Sequence, residues 1–384
     1  MDYFLTEEQQ MIVDVARQIT DEKIIPQRAE LDEKEEYPTD IIKAIAQADM
    51  AGLHIPEEYG GFGGGSFDNI LALEQIARGC IGVATIFAAS ALGVYPILIS
   101  GSSQLKRKYL PDVASGRKTA AFALTEPDAG SDALGIRTTA ALDNDEWVIN
   151  GSKQWITNGG EANIYSVIAV TDRDKGARGA TMFAVEDTDP GFSYGPKEKK
   201  LGIRASATRP LYFKDCRIPK DRVIGRVGSG FITVMKTLDV SRPGIAILGV
   251  GLGQGALDVA VPYAKQRIQF GKPIISFQAV QHLLADMAIQ VEAARAFVYA
   301  AAKYIDSKPK SISKISSMCK TFATDMSMKV TTDAVQVLGG YGYMREYPVE
   351  KMMRDAKILQ IYEGTNQIQR NVIGQELNKE YNRN

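Results

Sequence analysis

Residues 146–159 read EWVINGSKQWITNG. Trp147-Val148-Ile149 and Lys153-Gln154-Trp155 are β-prone runs on either side of Asn150-Gly151, a pair suited to the left-handed backbone of a tight turn, so the stretch reads as a hairpin. Similar short runs surround it at residues 120–124, 165–170, 181–185 and 211–213, separated by Gly, Asp and Asn clusters. No helix of useful length fits between residues 120 and 225. That excludes an alternating α/β unit and implies an antiparallel β-domain, residues 121–228.

Outward from this block both flanks are helical, which makes the chain α+β with three domains. In residues 1–120, Thr6 with Gln9 three positions on is a capping-box pattern, and Met11, Ile12, Val13, Val15 and Ala16 recur at helical spacing. Pro26 is expected to end that helix, and Pro38-Thr39-Asp40 to open another that runs to about Gly52. The glycines from Gly60 to Gly65 lack either phosphate-loop pattern and read as a connector. Helices resume from about Phe67 to Gly116. Within them Cys80 to Ser100 carries no charge and is long enough to cross a bilayer, yet holds Gly82, Gly93 and Pro96; a buried core helix is the expectation, and no membrane span. Residues 229–384 are expected to be helical to the end, with long segments at 231–266, 279–305 and 311–338 and short connections, the pattern of a helical bundle. Gly249, Gly251, Gly253 and Gly255 follow a helical pattern, so they suit close helix packing and not a dinucleotide.

The totals narrow the function classes. Lys plus Arg number 45 against 46 for Asp plus Glu, a net charge of −1, which argues against nucleic acid as a partner. Cys80, Cys216 and Cys319 are widely spaced and form neither a disulfide framework nor a zinc pattern. His54 and His282 are the two histidines, too few for a histidine metal site or a Ser-His-Asp triad beside other evidence. The N-terminal MDYFLTEE lacks the basic or Arg-rich start of a targeting segment, and a cytoplasmic setting is the expectation.

Residues 352–370, MMRDAKILQIYEGTNQIQR, carry the chemistry. A helical run ends at Ile361-Tyr362, then presents Glu363 followed by Gly364, which suits a sharp change of direction. A carboxylate held between two helices is open to desolvation, which makes it a stronger base; an exposed loop glutamate is the alternative. The motif DAKI-x-QIYEGT-x-QIQR resembles the C-terminal signature of the acyl-CoA dehydrogenases, most like the short- and medium-chain members. The resemblance implies that Glu363 removes the α-proton of an acyl-CoA thioester while a β-hydride passes to FAD. It also implies that Thr365 and Gln367 contact the cofactor, and Tyr362 and Gly364 the substrate.

Three further stretches resemble the family's FAD elements. FALTEPDAGSD, from Phe122, implies cofactor contacts from Phe122, Leu124, Thr125, Gly130 and Ser131, where a strand ends in a turn that directs N–H groups outward. KQWITNG, from Lys153, implies contacts from Trp155, Ile156 and Thr157; Trp155 and Thr157, two apart on a strand, share a face. RIQFGK, from Arg267, with Phe270, Phe277 and Gln278, and the run Gln336, Val337, Gly339 and Gly340, resemble the parts that reach FAD of a neighbouring subunit, so a homotetramer, a dimer of dimers, is implied.

For the substrate, Asp239 and Arg242 lie three apart on one helix face, and relatives place this pair near the pantetheine; a surface ion pair is the alternative. Ser131 matches a position that touches CoA. Some members carry their base just before that arginine, where this chain has Ser241. The stretch 84–92, with four alanines and Ser90, matches the acyl-pocket lining and suggests a short-to-medium, branched or cyclic acyl group. The implied product is a trans-2-enoyl-CoA, with electrons passed to an electron-transferring flavoprotein. Rival readings are an enoyl-CoA reductase using the same residues in reverse, an acyl-CoA oxidase, and a non-enzymatic helical scaffold. No metal is expected.

Overall fold

A computed structural model describes residues 3–382; the first two residues of the N-terminal stretch discussed above lie outside the described ones. The chain opens with α1 (Glu7–Ile19), where the Thr6 hydroxyl accepts the Gln9 N–H and the Gln9 side chain accepts the Thr6 N–H, both at 3.2 Å. Pro26 does not end this helix. A π-turn at Thr20–Ile24 carries the backbone on into α2 (Ile25–Lys34), and Pro26 sits in the first turn, where a missing N–H costs least. Then follow α3 (Thr39–Gln47), α4 (Ser66–Gly79), α5 (Ile81–Ser100) and α6 (Ser103–Ala114). α5 is long and apolar enough to cross a membrane, and most of it is buried between the other helices and the sheet.

The middle of the chain forms β1 (Ala120–Ala123), β2 (Thr139–Asp143), β3 (Glu146–Thr157), β4 (Ile164–Val170), β5 (Ala180–Glu186), β6 (Phe192–Tyr194), β7 (Thr208–Pro219) and β8 (Val223–Ile224). They make one sheet in the order β6-β7-β3-β2-β4-β5-β8, with β1 beside β4. The sheet is mixed: β4 pairs parallel with both β1 and β2, and the remaining pairs are antiparallel. Asn150-Gly151 is not a hairpin turn. β3 runs straight through it, and the turn lies earlier, at Asn144-Asp145, where Asp143 faces Glu146. Asn150 and Gly151 instead make a bulge against β7. The Asn150 amide pairs with the Asp215 N–H at 2.8 Å and the Asp215 carboxylate at 3.1 Å. Gly151 has φ +144°, and a Cβ there would lie 2.6 Å from the Thr138 hydroxyl. The same two residue types that suit a turn here satisfy an irregular strand.

The C-terminal third holds α7 (Gly230–Gln266), a small hairpin of β9 (Ile268–Gln269) and β10 (Lys272–Pro273) that the helical reading did not anticipate, α8 (Gln278–Asp306), α9 (Ser313–Leu338), α10 (Val349–Leu359) and α11 (Asn366–Tyr381). The alternate glycines of α7 do bring helices together: a Cβ on Gly251 would lie 2.3 Å from the Glu74 carbonyl of α4, and one on Gly249 2.8 Å from the Ala323 carbonyl of α9. One apolar core therefore runs through both helical domains, while two others cover the two faces of the sheet.

A polar clasp joins the three parts beside α10. Asp355 accepts the Ile203 N–H of the β6–β7 connection at 2.5 Å, Arg354 reaches Asp32 of α2 at 2.8 Å, and Arg204 reaches Glu35 at 2.6 Å. It anchors the helix that delivers Glu363.

Candidate active site

Glu363 lies in the turn between α10 and α11, with φ +53°, followed by Gly364 at φ +93°. A non-glycine residue in that region is strained, and here the strain is held by side chains. Gln369 donates to the carbonyls of Glu363 and Gly364 at 3.1 and 3.0 Å. Lys320 of α9 donates to the Gly364 carbonyl at 2.8 Å and to Asn366 at 2.9 Å. A Cβ on Gly364 would lie 2.5 Å from the Gln369 amide, so this contact needs glycine. Thr365 caps α11, accepting the Ile368 N–H at 3.3 Å. Among the described residues the Glu363 N–H makes no hydrogen bond.

The carboxylate itself meets α7. The Ser241 hydroxyl donates to Glu363 Oε2 at 2.6 Å. Burial pushes the Glu363 carboxyl above the ordinary carboxylate range, and Ser241, Arg242 and Lys320 draw it back only in part. Asp239 and Arg242 are a buried pair at 2.9 Å, not a surface one; Arg242 also reaches Ser317 at 3.3 Å, and Asp239 takes the Ser313 hydroxyl. Pro243 removes the N–H that would bond to the Asp239 carbonyl, and the Ser316 hydroxyl donates to that carbonyl instead, at 2.6 Å. The proline thus opens a backbone acceptor through which α9 is tied to α7 beside the carboxylate.

The two β-domain signatures also meet. Gln154 N–H donates to the Thr125 carbonyl at 2.8 Å, and the buried Lys153 ammonium reaches the Leu124 carbonyl at 3.0 Å and Glu126 at 2.8 Å. Glu126 further accepts the N–H groups of Arg137 and Thr138 at 2.6 and 3.0 Å. Beside this anchor Gly130 and Ser131 are exposed, and Phe122, Leu124 and Thr125 are half-buried. Trp155 sits in a second bulge of β3 at φ +57°, with 58% of its surface exposed. Thr157 lies half-buried, while the Ile156 side chain is buried in the sheet core, leaving its backbone as what it offers a ligand.

The third group gathers elsewhere. Arg267 lies over the Tyr341 ring at 5.4 Å and, with Val337, Gly339 and Gly340, lines a cleft of about 560 Å³. Phe270, at the tip of the β9–β10 hairpin, is 93% exposed and meets Phe277 edge-on; Gln278 opens α8. Gln336 lies at the end of α9. About 26 Å of α9 separates Val337 from Lys320, at 1.5 Å per residue.

Matches to known families cover nearly all of the described chain. Residues 6–117, 121–216 and 228–378 match the N-terminal, middle and C-terminal domains of acyl-CoA dehydrogenase. A probable acyl-CoA dehydrogenase of Mycobacterium tuberculosis is 48% identical over 373 residues, covering 97% of this chain and 96% of its own length. The chain belongs to the acyl-CoA dehydrogenase family. Among solved structures, butyryl-CoA dehydrogenase from Megasphaera elsdenii superposes with a TM-score of 0.96 at 44% identity, over 98% of this chain and 100% of that one. An acyl-CoA dehydrogenase from Bacillus anthracis complexed with FAD gives 0.92 at 34% identity, over 99% of this chain and 68% of that one.

This acyl-CoA dehydrogenase is an enzyme whose cofactor is FAD. The residues present fit that group: an indole left open on β3, exposed turn residues Gly130 and Ser131 after β1, and the Glu363 carboxylate on a separate domain. Among the described residues no His, Cys, Asp and Glu cluster could hold a metal. His54 is enclosed beside Tyr95, with burial pushing it down to about 4, and His282 is exposed. Ser241, Lys320, Asn366 and Gln369 were missed as site residues. Lys320 had a readable signal, since it is a lone charge on the helical face that holds Ser316, Cys319, Ala323 and Ser327. The partnership of Ser241 with Glu363, 122 positions away, had none.

Proposed function

We propose that this acyl-CoA dehydrogenase oxidises an acyl-CoA to its 2,3-enoyl-CoA with Glu363 as the α-proton acceptor. The observation that carries the reading is the carboxylate held in a strained turn, lifted by burial and bonded on one oxygen by Ser241. With Oε2 engaged, Oε1 is the oxygen left to take the proton. The unengaged N–H belongs to the same residue as that carboxylate and is suited to polarise a thioester oxygen and stabilise charge developing there. FAD, when bound, accepts the β-hydrogen with its electron pair. Arg242 is held by Asp239 and Ser317, which fixes it behind the base instead of in solvent.

Residues 84–92 of α5 are largely buried and include four alanines and Ser90 beside Ile86, Phe87 and Leu92, which supports a short-to-medium, branched or cyclic acyl group. The family resemblance supports an electron-transferring flavoprotein as acceptor. The distance between Glu363 and the Arg267 cleft, with Phe270 left exposed at the hairpin tip, supports completion of each FAD site by a second subunit in a homotetramer. Glu363→Gln tests the base: the variant should stay yellow and fail to bleach when acyl-CoA is added without oxygen, and bleaching at the native rate removes Glu363 from the role. A panel of acyl-CoAs tests the pocket, and turnover of long straight chains alone overturns it.

A further inference from the structure

Among the described residues three lysines are fully or nearly fully buried, and one of them has no carboxylate in salt-bridge contact. Lys153 has Glu126 at 2.8 Å and Lys351 has Asp355 at 2.5 Å. Lys320 is equally enclosed, yet its ammonium is spent on the Gly364 carbonyl and the Asn366 side-chain oxygen. An ammonium with no carboxylate in direct contact is an expensive way to hold a loop that a neutral amide could hold. Asn366 is itself fixed, donating to Thr324 at 2.9 Å and Asp325 at 2.7 Å. Gln369, also buried, binds the same Gly364 carbonyl from α11. The carbonyls of residues 363 and 364 therefore face α9 and α11, and the N–H and side chain of Glu363 are turned the other way.

We propose that Lys320 is the positioning residue of the base: it clamps the Gly364 carbonyl so that the strained Glu363 turn keeps its shape, and it supplies the positive charge that favours the ionised carboxylate. This rests on Glu363 being the base. Glu363 is faced by Ser241 and Arg242 from α7, Lys320 from α9, Tyr95 from α5 and Tyr362 from its own turn. Lys320 is faced by Glu363, Arg242 and Asp325. Burial pushes Lys320 down to about 7, with Glu363 opposing that fall. The two groups are thus coupled across the site, and loss of the ammonium leaves Arg242 as the one cation acting on Glu363 among the described residues.

The test is anaerobic flavin reduction by acyl-CoA in Lys320→Met holoenzyme over a pH series, with FAD content and melting temperature recorded. The expected result is FAD retained, a limiting rate lower by about 10- to 100-fold from the displaced turn, and an acidic limb moved to higher pH. Lys320→Arg should return the limb toward its native position, since the charge is kept. A native rate with an unmoved limb overturns the proposal. So does a fall in melting temperature and FAD content with rate per bound flavin and limb both native, which is a structural role alone. If Lys320→Met does not fold, Gln369→Met carries the test: removing a second donor to the same carbonyls should slow reduction without moving the limb, and a native rate there overturns the clamp. Glu363→Gln run alongside separates the two ideas. If it still bleaches, the base assignment has failed; if it is silent while Lys320→Met is native, only this inference has.

Discussion

Glu126 and Glu363 are both drawn out of solvent in this enzyme, and the protein treats them in opposite ways. Glu126, in the β-domain, has an ammonium at 2.8 Å and two backbone N–H groups. Burial pushes its carboxyl up, but Lys153 and those donors more than offset it and hold it below the ordinary range. Glu363, between helical domains, has a hydroxyl and more distant cations, and burial prevails. The same side chain is held as an anion in one place and is lifted toward the protonated form in the other. The difference is the distance of the nearest cation, since Coulomb attraction inside a protein falls steeply once a full partner is withdrawn from contact. A structural carboxylate is saturated with donors; the proposed catalytic one is left with an oxygen to spare.

The sharpest break of this contrast is Glu363→Gln, which should lower flavin reduction by about 10³- to 10⁴-fold while FAD is retained, read by anaerobic stopped-flow. Next is Lys153→Met. It leaves the Glu126 charge buried and unpaired, and should cost about 3–5 kcal/mol in urea unfolding; adding Glu126→Gln to it should recover part of that loss.

The pH dependence of stability should have opposite signs at the two sites. Glu126 has a folded pKa below its unfolded value near 4.5. Its contribution is present above the unfolded value and is lost as pH falls through the folded one. Glu363 has a folded pKa above the same reference, so the fold is unpenalised below the unfolded value and loses stability as pH rises through the folded one. At neutral pH Glu126→Gln should therefore unfold at lower urea than the native enzyme and Glu363→Gln at higher urea, with the second difference vanishing in acid. Equal signs would remove the contrast. The smallest change is Ser241→Ala. It deletes one hydrogen bond to a charged group, of about 1.5–3 kcal/mol, and should move the acidic limb of flavin reduction upward while Glu363 still functions.

The helices were legible because their apolar spacing is local: α7, α8 and α9 lie within a few residues of the stretches read from periodicity. The alternate glycines of α7 were legible as packing residues for the same reason. Asn150-Gly151 misled because its chemistry allows two outcomes. A turn and a bulge both use a permissive backbone and a side chain that caps it, and the choice fell to Thr138 and Asp215, which are remote in sequence. Pro26 misled because a π-turn just before it gave the ring a harmless position. In the candidate site, Glu363 was readable through its motif, whereas Ser241 was visible only as a departure from a pattern and Lys320 only as a lone charge on a small-residue helix face.

By itself, then, the sequence determined the three-part α+β architecture, the family, the cofactor and the carboxylate that stands before Gly364, since each is written in local spacing or in a contiguous motif. Only the tertiary structure decided how that carboxylate is held. Its position above the ordinary range, its hydroxyl partner on α7 and the Lys320 contact with Gly364 arise from desolvation and from meetings of segments far apart in the chain, and no short window of residues records those meetings.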